Sequence, residues 1–188
     1  MKLKAIIKSY LTASFAVLAI ALCGGTNLHA QKAAELDKQV DEAMKKLFAT
    51  SDAAKNLSKA AKGILVFPTV KKAGFMVGGQ RGEGALRIAG KTTGYYKTTA
   101  ASFGIQAGAQ KFSYALFFMT DGALQSLKSS KGWEVGVGPS IVVVDEGVAR
   151  SLTTSTAKES IYVFFFGQKG LMGGLGIQGS KITQFHPK

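Results

Sequence analysis

Gly63-Ile-Leu-Val-Phe67-Pro68-Thr-Val-Lys71-Lys72-Ala-Gly-Phe75-Met-Val77-Gly78-Gly79-Gln-Arg81-Gly82-Glu83-Gly84-Ala-Leu86 is the stretch that decides how this chain folds. An apolar run, Ile64 to Phe67, meets Pro68. A basic pair, Lys71-Lys72, follows. A second apolar run, Phe75 to Val77, then breaks into glycines at 78, 79, 82 and 84. Proline has no N–H to give a ladder, and glycine in a strand marks a bend or a close backbone approach. This punctuation predicts two strands joined by a short cationic turn at Lys71-Lys72.

The composition changes sharply at Gly63. Residues 31–62 contain neither Gly nor Pro, whereas every glycine after Gly25 lies between Gly63 and Gly179. Leu36, Val40, Met44 and Leu47 recur at helical spacing. Thr50-Ser51-Asp52 offers a cap for a second helix over 53–62, with Gly63 as its stop. Downstream, strands are expected at 85–88, 95–99, 104–110, 114–119, 133–137, 141–144, 161–166 and 171–185. Turns are expected at Ala89-Gly90, Glu146-Gly147 and Lys169-Gly170. In 104–110 the alternation places Ile105, Ala107 and Ala109 on an apolar face and Gln106, Gly108 and Gln110 on a polar one. A short helix over 122–130, capped by Thr120 or Asp121, interrupts the strands. The fold class is α+β: N-terminal helices packed on a curled, mainly antiparallel, glycine-rich β-sheet, barrel- or sandwich-like, with one short helix mid-chain. An outer-membrane barrel fits less well, because 141–144 and 161–166 do not alternate.

Residues 1–30 have the parts of a secretory signal: Lys2, Lys4 and Lys8, an apolar run from Leu11 to Leu22, and Ala30 before the expected mature start at Gln31. The competing reading is lipidation at Cys23, with Ile20-Ala21-Leu22-Cys23 as a lipobox; the bulk of Leu22 stands against it. The expected organisation is therefore signal peptide 1–30, helical arm 31–62 and β domain 63–188. The expected location is the periplasm or cell envelope, with membrane anchoring if Cys23 is acylated.

The 188 residues are 46% hydrophobic, enough for one well-filled domain, and carry a net charge of +13, or +10 without the leader. An excess of lysine favours an anionic partner. Without the leader the chain has no Cys and one His, His186, which removes Cys/His metal sites and the usual nucleophilic triads. Neither a metal nor a cofactor is expected, and the chain reads as no enzyme. Gly174-Leu-Gly176-Ile-Gln-Gly179 matches a dinucleotide pattern but lacks the helix and acid that should follow. Gly84 to Thr92 misses the phosphate-loop spacing by one residue. Glu83 is expected to pair locally with Arg81, and Trp133 to lie in the core. Tyr95 and Tyr96 have no basic-aromatic module around them, so no nucleic acid is expected.

Lys55, Lys59 and Lys62 on the second helix, with Lys71 and Lys72, form the candidate cationic surface for lipid headgroups. A solvated helix face is the alternative reading of the first three.

The order and spacing of Ala61-Lys-Gly-Ile-Leu-Val-Phe-Pro68, Lys72-Ala-Gly-Phe75, Gly78-Gly79, Gly82-Glu-Gly84, Thr93-Gly-Tyr-Tyr96, Ala101 to Gln110, Phe118-Met-Thr-Asp121, Gly132-Trp-Glu-Val-Gly136 and Lys169-Gly-Leu-Met172 resemble the SYLF domain family in its secreted bacterial branch, over about 37–183. The resemblance implies a non-enzymatic module. Eukaryotic members bind phosphoinositide-containing membranes, and fungal members also bind actin. Here it implies an anionic, phosphoinositide-like headgroup met through the five lysines. Actin is not expected to be a partner of an exported bacterial protein. The alternative from another class is a scaffolding envelope protein that binds protein partners through its sheet.

Overall fold

The computed structural model describes residues 30–75, 77–103, 108–144, 148–149, 152–170 and 179–187. Two compact units divide the chain: Met1–Glu35 with Pro187–Lys188, and Leu36–His186. In the first, the described residues are helical 30–35 and Pro187. Everything below concerns the second. Residues 1–29 of the expected leader, with Cys23, Gly104 to Ala107, Glu146-Gly147 and residues 171–178 of the expected last strand lie outside the described residues.

Helix α1 spans 30–50, and α2 spans Asp52–Leu57 with Ser51 as its cap, the Ser51 hydroxyl accepting from the Ala54 N–H at 3.2 Å. The strands are β1 Gly63–Phe75, β2 Val77–Ile88, β3 Lys91–Phe103 and β4 Gly108–Phe118. After helix α3 (Asp121–Ser129) come β5 Trp133–Glu134, β6 Ile141–Val144, β7 Ile161–Gly170 and β8 Lys181–Phe185. They form one eight-stranded sheet in the order β5-β8-β3-β2-β1-β4-β7-β6. Every pairing is antiparallel except β6 with β7. The sheet is a curled half-barrel, and the fold is α+β as expected.

Both faces of the sheet are covered, and each is built by period-two alternation. Toward α1 and α2, which we call the helix face, point Ile64, Val66, Ala85, Ala115, Phe117, Tyr162 and Phe164, packed with Leu36, Val40, Leu47, Ala54 and Leu57. Toward α3, the inner face, point Leu65, Phe67, Leu86, Tyr114, Leu116, Phe118 and Val163, packed with Leu124, Leu127 and Trp133. A strand buried on both sides has no polar position to spare, which is why Tyr114 to Phe118 is continuously apolar. Thr120 caps α3, its hydroxyl accepting from the Ala123 N–H at 3.2 Å. Trp133 is in the core, 3% exposed.

Several expectations are corrected. The chain does not turn at Lys71-Lys72. β1 continues to Phe75 and reverses before Val77, and Pro68 is an internal bulge. Three steps along β1, Phe67 to Val70, match two along β4, Tyr114 to Phe112. The extra residue lets proline sit in a central strand, because a bulge needs no ladder donor at that point. The Ser113 hydroxyl donates to the freed Pro68 carbonyl at 2.7 Å. The bulge also shifts the alternation, so Val70 joins Leu65 and Phe67 on the inner face. Helix α2 ends at Leu57 and not at Lys62, and Gly63 opens β1, since the Lys62 N–H already donates to the Phe118 carbonyl at 2.8 Å. β5 is only two residues long. Lys169-Gly170 lies within β7. The irregularity is at Gly167, which adopts φ +64°, a left-handed conformation that glycine takes without a side-chain clash. In β4 the expected faces are exchanged: Gln110 is buried on the inner face and Ala109 is exposed.

Two features follow expectation closely. Ala89 and Gly90, with φ of 49° and 77°, make the two-residue β2–β3 turn, whose twist suits a hairpin. Gly84 is required by packing, because a Cβ there would stand 2.1 Å from the Val66 carbonyl oxygen.

Candidate anion-binding face

Beyond the bulge, the helix face carries a row of cations. Arg81 on β2 is opposite Lys71 on β1. Lys71 is opposite Lys111 on β4, and Lys111 is opposite Lys169 on β7. Directly opposed residues have Cβ atoms about 5 Å apart, and like charges there oppose folding. All four side chains are exposed. Arg81 has a partner, Glu83, at 3.5 Å. Among the described residues Lys71, Lys111 and Lys169 have no carboxylate within ion-pair distance. An unneutralised run of three lysines on three adjacent strands, β1, β4 and β7, is a ready receptor for anions.

The two strand irregularities shape this row. Pro68 and Thr69 of the β1 bulge, and Phe166 and Gly167 of β7, border a groove of about 290 Å³ that Lys111 and Lys169 also line. Helix α1 supplies the far wall through Gln39, Glu42 and Lys46. The Lys46 amino nitrogen is 3.4 Å from where a Cβ on Gly167 would be, so the helix lysine lies directly over the glycine bulge. Lys46 therefore adds a fourth lysine to the row from above, with Glu42 as a carboxylate on the same wall.

Helix α1 is held in place by a polar clamp. Arg87 of β2 reaches Asp41 Oδ1 at 2.7 Å, the Asp37 carbonyl at 3.1 Å and Asp37 Oδ1 at 3.5 Å. It also donates to the Thr92 hydroxyl. Thr92 donates to Asp37 Oδ1 at 2.7 Å, and the Tyr95 hydroxyl donates to Asp37 Oδ2 at 3.0 Å. Burial, and then the hydrogen bond and negative charge of Asp37, push the Tyr95 phenol up from its ordinary value. The Arg87 side chain is only 10% exposed. No local signal in the sequence couples residues some fifty positions apart.

The five lysines expected to share one surface are not gathered together. Lys55 and Lys59 are exposed on α2 and the turn after it. Lys62 is exposed and pairs with Asp121 at 3.7 Å. Lys71 follows Lys62 by nine residues along an extended strand, about 30 Å at ~3.3 Å per residue. Lys71 is in the cationic row. Lys72 points to the inner face, between Gln80 and Gln110. Arg81, Lys111, Lys169 and Lys46 were not foreseen. Arg81, Lys111 and Lys169 each lack a cationic neighbour in sequence, and only strand register aligns them, whereas Lys46 follows Lys45 on α1. The expected Glu83–Arg81 pair is present.

Among the described residues no three His, Cys, Asp or Glu side chains gather as a metal site, and no helix is long and apolar enough to cross a membrane.

Residues 99–186 match the family model Ysc84, described as Las17-binding protein actin regulator. This part of the chain is similar to the Ysc84 (SYLF) domain family. The Ysc84 segment begins in β3 and runs through β8, so it supplies Lys111 and Lys169, while Lys71 and Arg81 come from the strands before it. The family is one of binding domains. No curated protein matches the chain.

Proposed function

We propose that this protein is a non-catalytic domain that binds anionic lipid headgroups at an envelope membrane through the row Arg81, Lys71, Lys111 and Lys169, with Lys46 beside it. The observation that carries the reading is the in-register alignment of these cations on four adjacent strands, three of them without an ion-pair partner among the described residues. Such a row weakens the sheet unless counter-charge is supplied, and a phosphate-bearing surface supplies it. At about 1 kcal/mol per basic residue near an anionic bilayer, three unpaired lysines would give a binding advantage of about 3 kcal/mol, roughly a hundredfold. Exposure of the row makes the interaction sensitive to salt.

The reading calls for a membrane surface rather than a soluble catalyst, in keeping with the binding character of the Ysc84 family. The export signal read in residues 1–30 would deliver the domain to the envelope. Sedimentation with phosphatidylglycerol vesicles and with phosphatidylcholine vesicles tests it. Binding to the first only, declining with salt, is expected; equal binding to both would refute a headgroup mechanism.

A second reading is protein binding through the sheet. The family description supports it, as does Val143 on the edge strand β6, 48% exposed. Capture of an envelope protein, lost on Val143→Lys and independent of vesicles, would favour it.

A further inference from the structure

The helices cover one end of the helix face and leave the other exposed. The cluster that includes α1 and α2 takes in Ile64 and Val66 of β1, Ala85 of β2, and Ala115 and Phe117 of β4. The cationic row crosses the same strands past the Pro68 bulge. The register carries it on through Thr99 of β3, opposite Arg81, to Lys181 of β8, opposite Thr99. Both are exposed.

Beyond the row the face changes from charged to apolar. One alternation further along the strands are Ala73 on β1, Gly79 on β2, Ala101 on β3 and Ala109 on β4. Ala73 is opposite both Gly79 and Ala109, and Gly79 is opposite Ala101. All four are exposed. A Cβ on Gly79 would meet only the Ala100 carbonyl oxygen, at 3.9 Å, so among the described residues no side chain covers that point. One more alternation places Phe75 opposite Val77, and Val77 opposite Phe103, at the end of the same face. The order outward is therefore cations, then small apolar residues, then large apolar ones. The inner face at this end is different, with Lys72, Gln80 and Gln110 at its positions.

This spacing fits one kind of partner. Two residues of extended strand span about 7 Å and four about 13 Å. A lipid bilayer presents charge in a plane and an apolar layer about 5–10 Å beneath it. An acidic protein or a soluble anion would match the cations but would leave the apolar rows in water. The helical arm is not the inserting element, because Leu36, Val40 and Leu47 are already buried against the sheet.

We propose that the exposed end of the helix face inserts into an anionic bilayer. Lys71, Lys111 and Lys169 stay at the headgroup phosphates, while Ala73, Ala101 and Ala109, with Phe75, Val77 and Phe103 beyond them, reach the acyl boundary. The proposal rests on the headgroup reading and adds the depth and orientation of the bound domain: the β1–β2 end enters first, and α2 stays in water.

The test uses the purified protein, phosphatidylglycerol vesicles and substitutions that leave the net charge unchanged. Ala73→Leu with Ala109→Leu should tighten binding at least tenfold, since both add apolar surface that leaves water. Ala73→Gln with Ala109→Gln should weaken it several-fold. A purely electrostatic contact predicts no change in either pair. Thermal unfolding checks that each pair folds, and if one does not, the other decides. Ala73→Trp should shift its emission to the blue on binding and be quenched by lipids brominated in the acyl chains. Lys55→Trp on α2 should not, and Trp133, buried in the core, sets the wild-type baseline. Wild-type affinity in the folded pairs, or an unquenched Trp at position 73, overturns insertion and leaves the headgroup reading standing. Failure of the unaltered protein to bind these vesicles overturns both. Self-association in sedimentation that the Gln pair abolishes would make a second copy the occupant of this face and also overturns the proposal.

Discussion

Lys71 stands directly opposite Lys111 across the β1–β4 pair, on the exposed part of the helix face. Two like charges at about 5 Å weaken a sheet by some tenths of a kcal/mol. Lys71→Gln with Lys111→Gln should therefore raise the Tm slightly in low salt while reducing affinity for phosphatidylglycerol vesicles about thirtyfold, at ~1 kcal/mol per lysine. Thermal unfolding and vesicle sedimentation on the same variant check both signs. A variant that loses stability together with binding would make the lysines structural.

Removing the Arg87 guanidinium should loosen α1. Arg87→Met leaves Asp37 hydrogen-bonded only to Thr92 and Tyr95, and Asp41 without its partner. Breaking a well-buried pair costs about 3–5 kcal/mol, but Asp37 and Asp41 are 30% and 60% exposed, so about 2 kcal/mol is expected. Urea unfolding measures it. Hydrogen exchange should show α1 opening before the sheet. Unchanged protection of α1 would contradict the clamp.

Gly84→Ala should be among the most damaging single changes. The new methyl would stand 2.1 Å from the Val66 carbonyl oxygen and 2.8 Å from the Phe67 ring. Backbone cannot yield as a flexible side chain can, so a loss of about 3 kcal/mol is expected. Ser113→Ala is the mild counterpart. It removes the 2.7 Å hydrogen bond to the Pro68 carbonyl and should cost about 1 kcal/mol. Equal effects from the two would mean the bulge depends on its hydroxyl as much as on the glycine contact.

Alkaline pH should unfold the protein early. Burial pushes the phenols of Tyr114, Tyr96 and Tyr95 above the ordinary value of 10.0. For Tyr114 the nearby Thr98 hydroxyl works weakly against this. The folded state holds these protons more tightly than the unfolded one. The stability they give is therefore complete below pH ~10 and lost progressively above it. Tyr114→Phe should flatten the fall above pH 10, as followed by circular dichroism against pH. An unchanged slope would place the alkaline sensitivity elsewhere.

Much of the architecture was legible in local sequence. The glycine-free arm, the Leu36-Val40-Met44-Leu47 spacing, the Ser51 and Thr120 caps and the Ala89-Gly90 turn each depend on neighbours a few residues away. What misled was punctuation. Pro68 reads as a stop, but a bulge with Ser113 behind it lets the strand pass. Gln110 reads as solvent-facing, but it shares the face of Phe112 and Tyr114. The candidate site was legible only at Lys71. Lys111 and Lys169 are lone cations in apolar strands, and nothing local shows that pairing aligns them. The Arg87 clamp is hidden for the same reason, since its partners Asp37 and Asp41 are on α1.

The most direct test of the central claim compares two lysine sets in one vesicle assay. One variant changes Lys71, Lys111 and Lys169 to Gln; the other changes Lys55, Lys59 and Lys62 to Gln. Both remove three charges, so a non-specific effect of net charge would weaken phosphatidylglycerol binding equally. The row predicts about a hundredfold loss for the first and little change for the second. Equal losses, or a loss confined to the helix lysines, would contradict it.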